Sequence, residues 1–224
     1  MQFAPIPAYL EETYWWAYVH PSAVRLFERQ WLVNLILWGN FARLRDLALD
    51  ALGDRLDGRT LQIACVYGDL TPRLAERVAA SDGQLDVVDV LAVQLANLET
   101  KLAARAPVTL LQRDASRLGF ADAAYERVLV FFLLHEMPAD VRRRTLAEAL
   151  RVTKPGGRVV IVDYHRPERW HPLRGVMRWI LRNLEPFAMD LWAHELDEWL
   201  PRGVKPAAKE TCYGGLYQRL VIRA

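Results

Sequence analysis

Hydrophobic and polar residues follow a helical spacing near the start of the chain. From residue 22 to residue 48, apolar side chains recur every three or four positions, with charged side chains between them. This spacing places the apolar side chains on one face and predicts amphipathic helices within residues 9–52. Gly39 and Asn40 interrupt the pattern, and this pair favours a kink or a split at that point.

The middle of the chain, residues 59–165, alternates short apolar runs with amphipathic runs. Buried strands are predicted at 60–66, 85–90, 108–111, 127–133 and 158–163. Helices are predicted at 72–80, 93–104 and 139–152, and a turn at 154–157. Strands that are apolar on both faces and alternate with helices are typical of a parallel sheet made of βαβ units.

The remainder of the chain has another pattern. A helical run covers 172–200, and two strand-like runs at 207–213 and 216–223 are joined by Gly214 and Gly215, which predicts a hairpin. We therefore expect a single domain over residues 1–224. Its parts are an N-terminal helical segment (1–52), a core (59–165), a helical cap (166–202) and a terminal β-hairpin (203–224).

Composition narrows the class of protein. The 224 residues carry a net charge of +2, which argues against a dedicated nucleic-acid binder. Cys65 and Cys212 are too few and too far apart for a disulfide framework or a CxxC site, so a reducing compartment is expected. The sequence shows no signal peptide and no apolar run long enough to span a bilayer, which predicts a cytoplasmic protein.

Acidic residues stand where two of the predicted strands end. Asp89 closes the second strand and Asp114 follows the third, at the sheet edge where α/β proteins bind ligands. A carboxylate accepts hydrogen bonds from both hydroxyls of a ribose, and a second aspartate can accept from an adenine amino group. The pair predicts an adenosine pocket, while helix N-capping is the alternative for each aspartate.

Three segments resemble the class I S-adenosylmethionine-dependent methyltransferases. They are LAEALRVTKPGGRVVIVD at 146–163, LLHEMPADVRRR at 133–144 and the ending GLYQRLVIRA. The resemblance implies a Rossmann-like α/β fold with a seven-stranded, mostly parallel sheet, whose antiparallel last strand lies between strands five and six. It also implies a site for S-adenosylmethionine. The residues expected to bind it are Val66, Tyr67, Gly68, Asp89, Val90, Asp114, Ala115 and Phe131.

The first loop departs from the pattern of that family, D-x-G-x-G-x-G. Gln62 replaces the acid, Ala64 and Val66 replace glycines, and only Gly68 remains. A Cβ at Val66 is expected to crowd or redirect the methionine end of the cofactor. Two interpretations follow: decay into a non-enzymatic scaffold, or altered cofactor handling with new polar groups from the loop. The intact adenosine-side acids favour altered handling.

A narrower resemblance covers nearly the whole chain. The segment at 12–46, the VYGD loop at 66–69, DVLAVQLANLETKL at 89–102 and LLHEMP together are similar to rhodoquinone-biosynthesis enzymes. The resemblance implies conversion of ubiquinone to rhodoquinone, with an amino group replacing a ring methoxy group. It further implies that S-adenosylmethionine is the amino donor and that Mn(II) is required. The alternatives are a conventional methyltransferase acting on a quinone or small apolar molecule, and a non-catalytic scaffold.

Candidate residues for such chemistry lie at the strand ends and in the flanking helices. The catalytic candidates are Tyr67, Asp69, His135, Asp163 and His165. Asp163 and His165 are preferred over His135 and Glu136 as manganese ligands, because alternate positions of a strand point to one side. The residues expected to contact substrate are Tyr14, Trp15, Tyr18, His20 and Trp179.

Tryptophan and arginine point to a lipid substrate. None of the eight tryptophans falls within residues 59–165, so the flanking helices are expected to form an apolar cap that receives a polyprenyl quinone. Arg174, Arg178 and Arg182 recur on one helical face near Trp170 and Trp179, as in helices at membrane interfaces. A solvated amphipathic helix is the alternative. We expect peripheral contact with the inner face of the cytoplasmic membrane.

Overall fold

The computed structural model describes residues 6–14 and 28–224. Within these ranges the strands are β1 (Arg59–Ile63), β2 (Gln84–Asp89), β3 (Val108–Gln112), β4 (Tyr125–Phe131), β5 (Thr153–Tyr164), β6 (Pro206–Cys212) and β7 (Tyr217–Arg223). The helices are α1 (Ala8–Tyr14), α2 (Gln30–Ile36), α3 (Phe41–Leu52), α4 (Leu70–Ala79), α5 (Ala92–Glu99), α6 (Ala139–Val152), α7 (Arg174–Leu184) and α8 (Asp190–Ala193). Short 3-10 turns cover Leu134–Glu136, Pro186–Met189 and Leu196–Trp199.

The strands form one sheet in the order β3-β2-β1-β4-β5-β7-β6. The first five strands are parallel to one another, and β7 runs antiparallel to both β5 and β6. The predicted α/β fold with an antiparallel last strand between strands five and six is therefore confirmed. The centre of the sheet is buried on both faces, which explains why β4 ends in a continuous apolar run and why four of the five residues of β1 are buried.

The helices beside the sheet bury one face each. In α3, the buried residues include Phe41, Leu44 and Ala48, and the helix packs against β4, β5 and β7. The split expected near Gly39 is present, because α2 ends at Ile36 and Gly39 adopts a left-handed φ of +78°. The part of the N-terminal prediction that covers residues 15–27 lies outside the described residues.

Two strands end earlier than predicted. The first was expected to reach residue 66, but Ala64 has a φ of +70° and turns the chain out of β1. The fourth was expected to reach residue 133, but Phe132 has a φ of +49° and ends β4 at Phe131. A left-handed residue breaks the alternation of an extended strand. Both turns lie at the carboxyl edge of the sheet, where they begin the loops of the site.

The turn predicted at 154–157 is an irregularity inside β5. The sheet pairing jumps from Tyr125 opposite Thr153 to Arg127 opposite Arg158, so the extra residues bulge from the strand. Gly156, with a φ of +80°, provides the left-handed backbone at the bulge. The prediction of a turn separating helix from strand was wrong, since β5 already begins at Thr153.

The helical run predicted over 172–200 is present as several short segments. The chain forms α7, then a 3-10 turn beginning at Pro186, then α8 and a last 3-10 turn. Proline lacks the backbone N–H that a continuing helix needs, so α7 ends before it. The resulting broken cap buries Leu191, Trp192 and Trp199 in the common core.

Candidate active site

A cavity opens at the carboxyl ends of β1, β2, β4 and β5. Its space, including the part open to solvent, measures about 1370 Å³. The polar part of its wall comes from the loops after β1, β2 and β3, and the aromatic part comes from the ends of β4 and β5. Side chains of α1 and α2 close another side, among them Leu10, Val33 and Leu37. The cavity therefore joins a polar end to an apolar end.

Asp89 forms the floor of the polar end. Its Oδ2 accepts the N–H of Cys65 at 2.8 Å, and its Oδ1 accepts the N–H of Leu91 at 2.8 Å. Burial raises the pKa of Asp89 to about 6, although these backbone donors act in the opposite direction. The N-cap alternative is wrong, since Leu91 occupies that position of α5. Asp89 lines the cavity, and a carboxylate can accept several hydrogen bonds, so it fits the role of acceptor for a ribose diol.

The next wall of the polar end is the loop after β3, which contributes Arg113, Asp114 and Ala115. Oδ1 of Asp114 accepts the N–H of Ser116 at 2.7 Å, which fixes the aspartate as the start of a tight turn. The two aspartates follow neighbouring strands of the sheet and line one cavity, as predicted. The residues present at this end fit an adenosine group.

The loop after β1 keeps a glycine-like backbone without its glycines. Ala64 has a φ of +70°, a conformation that costs an L-residue roughly 1–2 kcal/mol. The buried Gln62 amide donates to the Ala64 carbonyl at 2.9 Å and to Thr71 Oγ1 at 2.9 Å. Gln62 stands at the position of the acid in the family pattern, and these two hydrogen bonds from its amide hold the loop. Ala64, Cys65 and Val66 all line the cavity, so the loop narrows it with side chains.

Further along this loop, Tyr67 and Gly68 have different environments. The Tyr67 hydroxyl accepts from the Gln94 amide at 2.8 Å and lines the cavity, as expected of a cofactor-binding residue. Gly68 does not line it. Its N–H donates to Glu28 at 3.1 Å and its carbonyl accepts from Lys101 at 3.0 Å. Gly68 therefore anchors the back of the loop, and its expected contact with cofactor stays a prediction.

A buried His135–Asp163 pair lies beside the aromatic end. Nδ1 of His135 is 2.9 Å from Oδ1 of Asp163, and Oδ2 accepts the N–H of Leu134 at 2.8 Å. Burial alone would lower the pKa of His135, but the Asp163 carboxylate raises it to about 9. The imidazole lines the cavity while the carboxylate lies behind it. At neutral pH the cavity therefore faces an imidazolium.

Aromatic rings surround this histidine. The Phe132 ring meets His135 at 6.0 Å and Tyr164 at 5.2 Å between centroids, both nearly edge to face. The rings of His135 and Tyr164 lie 4.9 Å apart. Phe131 adds a further ring to the wall. Such a wall accommodates a flat apolar ring next to one proton donor.

Asp69 was expected to act in catalysis but lies outside the cavity wall. Its carboxylate binds Arg45 Nη1 at 2.7 Å and Arg73 Nε at 2.6 Å. Burial would raise the pKa of Asp69, but the two guanidinium groups lower it overall. The aspartate therefore joins α3 to α4. Tyr67 and Asp69 stand in the same loop, yet only Tyr67 lines the cavity, because sequence alone does not give side-chain direction.

The expected metal pair is not formed. Both oxygens of Asp163 are used by His135 and by the N–H groups of Leu134 and Tyr164. His165 instead points its Nδ1 to the Gly215 carbonyl at 2.8 Å, and its Nε2 lies 3.5 Å from Glu195. Within residues 6–14 and 28–224, no three His, Cys, Asp or Glu side chains are arranged to hold a metal ion. The described residues therefore do not fit Mn(II). His165, which was expected to act in catalysis, does not line the cavity.

The substrate residues expected from the flanking regions are mostly elsewhere. Trp179 projects outward from α7 and does not line the cavity. Trp15, Tyr18, His20 and the side chain of Tyr14 lie outside the described residues. Among the tryptophans that the structure describes, none lines the cavity, so aliphatic and phenyl groups form its apolar wall.

Several lining residues escaped sequence reasoning. Tyr9 of α1, Gln94 of α5 and Glu185 after α7 all face the cavity. Gln94 lies in the helix that follows Asp89, which is a usable signal, whereas Tyr9 and Glu185 follow no strand. Burial raises the pKa of Tyr9, and the carboxylates of Glu136 and Asp114 add to the effect. Tyr9 therefore stays a neutral hydroxyl.

Arg142 supports the loop that carries His135. Three consecutive arginines at 142–144 are typical of a solvent-facing helix and predict an exposed run, but Arg142 is fully buried. Its guanidinium donates to the carbonyls of Leu134, Met137 and Phe187, each at 2.9 Å, and lies over the Trp199 ring at 4.4 Å. Arg142 links the turn that carries His135 to the helical cap. The charge pattern of the helix alone did not predict this buried position.

Known proteins resemble this chain in sequence. Residues 60–157 match a family model described as a methyltransferase domain. A demethylmenaquinone methyltransferase of Renibacterium salmoninarum is 31% identical over 156 residues, or 69% of this chain and 62% of that protein. A ubiquinone/menaquinone biosynthesis C-methyltransferase of Pseudomonas savastanoi is 31% identical over 61% of this chain and 54% of its own length. The chain thus spans somewhat over half the length of the curated relatives it matches.

Solved structures share the fold. Geranyl diphosphate C-methyltransferase from Streptomyces coelicolor, solved with Mg²⁺, geranyl diphosphate and S-adenosyl-L-homocysteine, superposes with a TM-score of 0.64. The match covers 98% of each chain at 14% identity. The N-methyltransferase NodS from Bradyrhizobium japonicum, in complex with S-adenosyl-L-homocysteine, gives a TM-score of 0.61 at 13% identity, over 90% of this chain and 96% of its own. The Rossmann-like methyltransferase fold is thereby established.

Proposed function

We propose that the protein binds S-adenosylmethionine and acts on the ring of a lipophilic quinone, and the match of residues 60–157 to a methyltransferase domain model supports this proposal. One observation carries the proposal: a single cavity joins the buried Asp89 to an aromatic wall that contains His135. The first end suits an adenosine group, and the second suits a flat ring. Relatives named for demethylmenaquinone and for ubiquinone/menaquinone biosynthesis support the same substrate class.

The reaction we propose is rhodoquinone formation, in which an amino group replaces a ring methoxy group of ubiquinone. The altered loop supports it, because Val66 and Ala64 add side chains where the family pattern has glycines. A tightly wrapped methionine end would keep its amine away from the substrate. A loop filled by Cβ atoms turns that end toward the aromatic wall. S-adenosylmethionine supplies the amine when it is bound.

The residues of this chain have separate tasks in that reaction. Asp89 and Asp114 hold the adenosine, while Phe131 and Phe132 pack on the quinone ring. His135, held as an imidazolium by Asp163, would donate a proton to the methoxy oxygen, so that methanol leaves as the ring C–O bond is replaced by a C–N bond. A free amino group on the ring also requires the bond between this nitrogen and the methionine Cα to break by elimination, with loss of the neighbouring Cβ proton and gain of one proton by the nitrogen. The cap and α2 exclude water from the ring. No step is assigned to Mn(II), because the described side chains do not fit it.

Conventional methylation of a quinone ring carbon is the second candidate, and the names of the relatives favour it. Methyl transfer to a ring carbon requires a base to remove the ring proton. His135 is protonated at neutral pH, which suits an acid and favours the amination reaction. A scaffold without catalysis is the remaining alternative, and it requires that no cofactor binds.

We also propose that the protein works at the inner face of the cytoplasmic membrane, as a peripheral protein. None of the helices in the described ranges has the length and apolar character to cross a bilayer. A polyprenyl quinone is dissolved in the membrane, so an enzyme that acts on it has to meet it there.

Ligand binding to two variants tests the site directly. Calorimetry with S-adenosylhomocysteine and a short-chain ubiquinone should show that Asp89→Asn loses cofactor affinity and keeps quinone affinity. Phe132→Ala should show the reverse. Wild-type protein that binds neither ligand would support the scaffold alternative and overturn the proposal. Equal losses of both ligands in both variants would contradict the division of the cavity into two ends.

A further inference from the structure

We propose that an exposed face made by α2 and by the segment that contains α7 docks on an anionic lipid bilayer. This docking face consists of Trp31, Leu35, Trp170, Arg178, Trp179 and Arg182. The inference rests on the proposed function in one respect, since the bilayer would supply the lipophilic quinone. The anionic bilayer is inferred as the partner from the exposed apolar and cationic side chains of the docking face.

The apolar part of the docking face is larger than the fold requires. Trp170 is 86% exposed and Trp179 is 67% exposed, while Trp31 and Leu35 on α2 are 59% and 61% exposed. The helix α7 already buries Met177 and Leu181 in the core. Trp179 therefore lies on a side of α7 that the core does not cover. Exposed tryptophan side chains are typical of proteins that contact a membrane at the boundary between lipid headgroups and acyl chains.

The charged part of the docking face has one sign. Residues 166–184 contain five arginines and one glutamate, Glu168. Within the described part of the chain, none of the five arginines forms an ion pair with a carboxylate. Elsewhere the structure pairs arginines closely, as with Arg45 and Arg151. Unpaired arginines beside exposed tryptophans complement anionic headgroups.

The docking face continues to the mouth of the cavity. Trp38, just after α2, donates its Nε1–H to Met177 Sδ at 3.0 Å, which ties α2 to α7. Ile36 both lines the cavity and remains 43% exposed. Glu185, directly after α7, also lines the cavity. A quinone tail leaving the bilayer at this face would therefore meet an apolar edge that leads to the aromatic wall.

Vesicle sedimentation tests the docking face. We expect wild-type protein to sediment with vesicles of phosphatidylcholine and phosphatidylglycerol, and at least tenfold less with phosphatidylcholine alone. Arg178→Ser combined with Arg182→Ser should weaken binding to anionic vesicles by about 30-fold, at about a factor of five for each basic residue. The control Arg105→Ser changes an exposed arginine after α5 and should bind like wild type. Equal sedimentation with both vesicle types, or an equal loss in the control, overturns the proposal.

A second measurement separates this inference from the proposed function. The double arginine variant and Trp179→Ser should both keep wild-type affinity for S-adenosylhomocysteine, because none of the three changed residues lines the cavity. Wild-type protein that binds the cofactor analogue and ignores anionic vesicles would overturn the docking face alone. Protein that binds vesicles and no cofactor analogue would leave the docking face supported and overturn the proposed function.

Discussion

The imidazole of His135 faces the cavity, and its Nδ1 lies 2.9 Å from the Oδ1 of Asp163, a carboxylate wholly removed from solvent. The carboxylate is itself fixed by the N–H groups of Leu134 and Tyr164. It therefore orients the ring and keeps it protonated. The pair gives this cavity an acid at neutral pH.

The first prediction concerns the pH dependence of turnover. Because the pKa of His135 is raised to about 9 and the protonated form is required, activity should fall as the pH rises through about 9. Asp163→Asn removes the negative charge and should move this alkaline limb to lower pH. His135→Asn should lose about 10²- to 10⁴-fold in rate and lose the limb. The control His194→Asn, at an exposed position, should keep the wild-type profile. An unchanged limb in both cavity variants would refute the role of the pair.

The second prediction concerns cofactor affinity. Asp89 accepts the ribose hydroxyls best as a carboxylate, and its pKa is raised to about 6 by burial. Affinity for S-adenosylhomocysteine should therefore fall as the pH drops below about 6. Asp89→Asn should bind about 10- to 100-fold more weakly, as expected for lost hydrogen bonds to a charged group, and should lack this pH dependence. Calorimetry across the pH range measures both, and a wild-type affinity that is flat below pH 6 would contradict it.

The third prediction concerns strain in the first loop. Ala64 holds a φ of +70°, which glycine adopts freely. Ala64→Gly should therefore stabilise the protein by about 0.5–1 kcal/mol, after the extra entropy of an unfolded glycine is subtracted. Ala147→Gly, in the exposed interior of α6, should destabilise it by about 1 kcal/mol. Denaturant unfolding measures both, and a loss of stability in Ala64→Gly would contradict the interpretation of the loop.

The fourth prediction concerns Arg142. Arg142→Met removes the donor to the carbonyls of Met137 and Phe187 and the ion pair with Asp190, and should cost roughly 3–5 kcal/mol. The neighbouring Arg143→Met, at an exposed position, should stay within about 0.5 kcal/mol of wild type. Comparable losses in the two variants would show that the buried position has no special importance.

The sequence predicted the parts of this site that depend on strand order. Asp89 and Asp114 follow neighbouring parallel strands, so their meeting in one cavity required only the βαβ pattern. Asp69 and His165 are also at strand ends, yet one binds Arg45 and the other a carbonyl of the hairpin. Their directions depend on helix packing, which a local pattern does not contain. Arg142 illustrates the same limit, because its partner Phe187 lies in a turn that is distant in sequence.

The most direct test of the proposed function is mass spectrometry of the quinone product formed from doubly labelled S-adenosylmethionine. The cofactor carries ¹⁵N at the amine and ¹³C at the methyl group, and it is incubated with ubiquinone and the protein, with and without Mn(II). We predict a product that gains ¹⁵N and loses one methoxy group, and that is greatly reduced in His135→Asn. Ubiquinone has no free ring carbon to methylate, so a parallel incubation uses demethylmenaquinone, which has one. An unchanged ubiquinone together with a demethylmenaquinone product that gains ¹³C would contradict amination and identify the protein as a quinone methyltransferase.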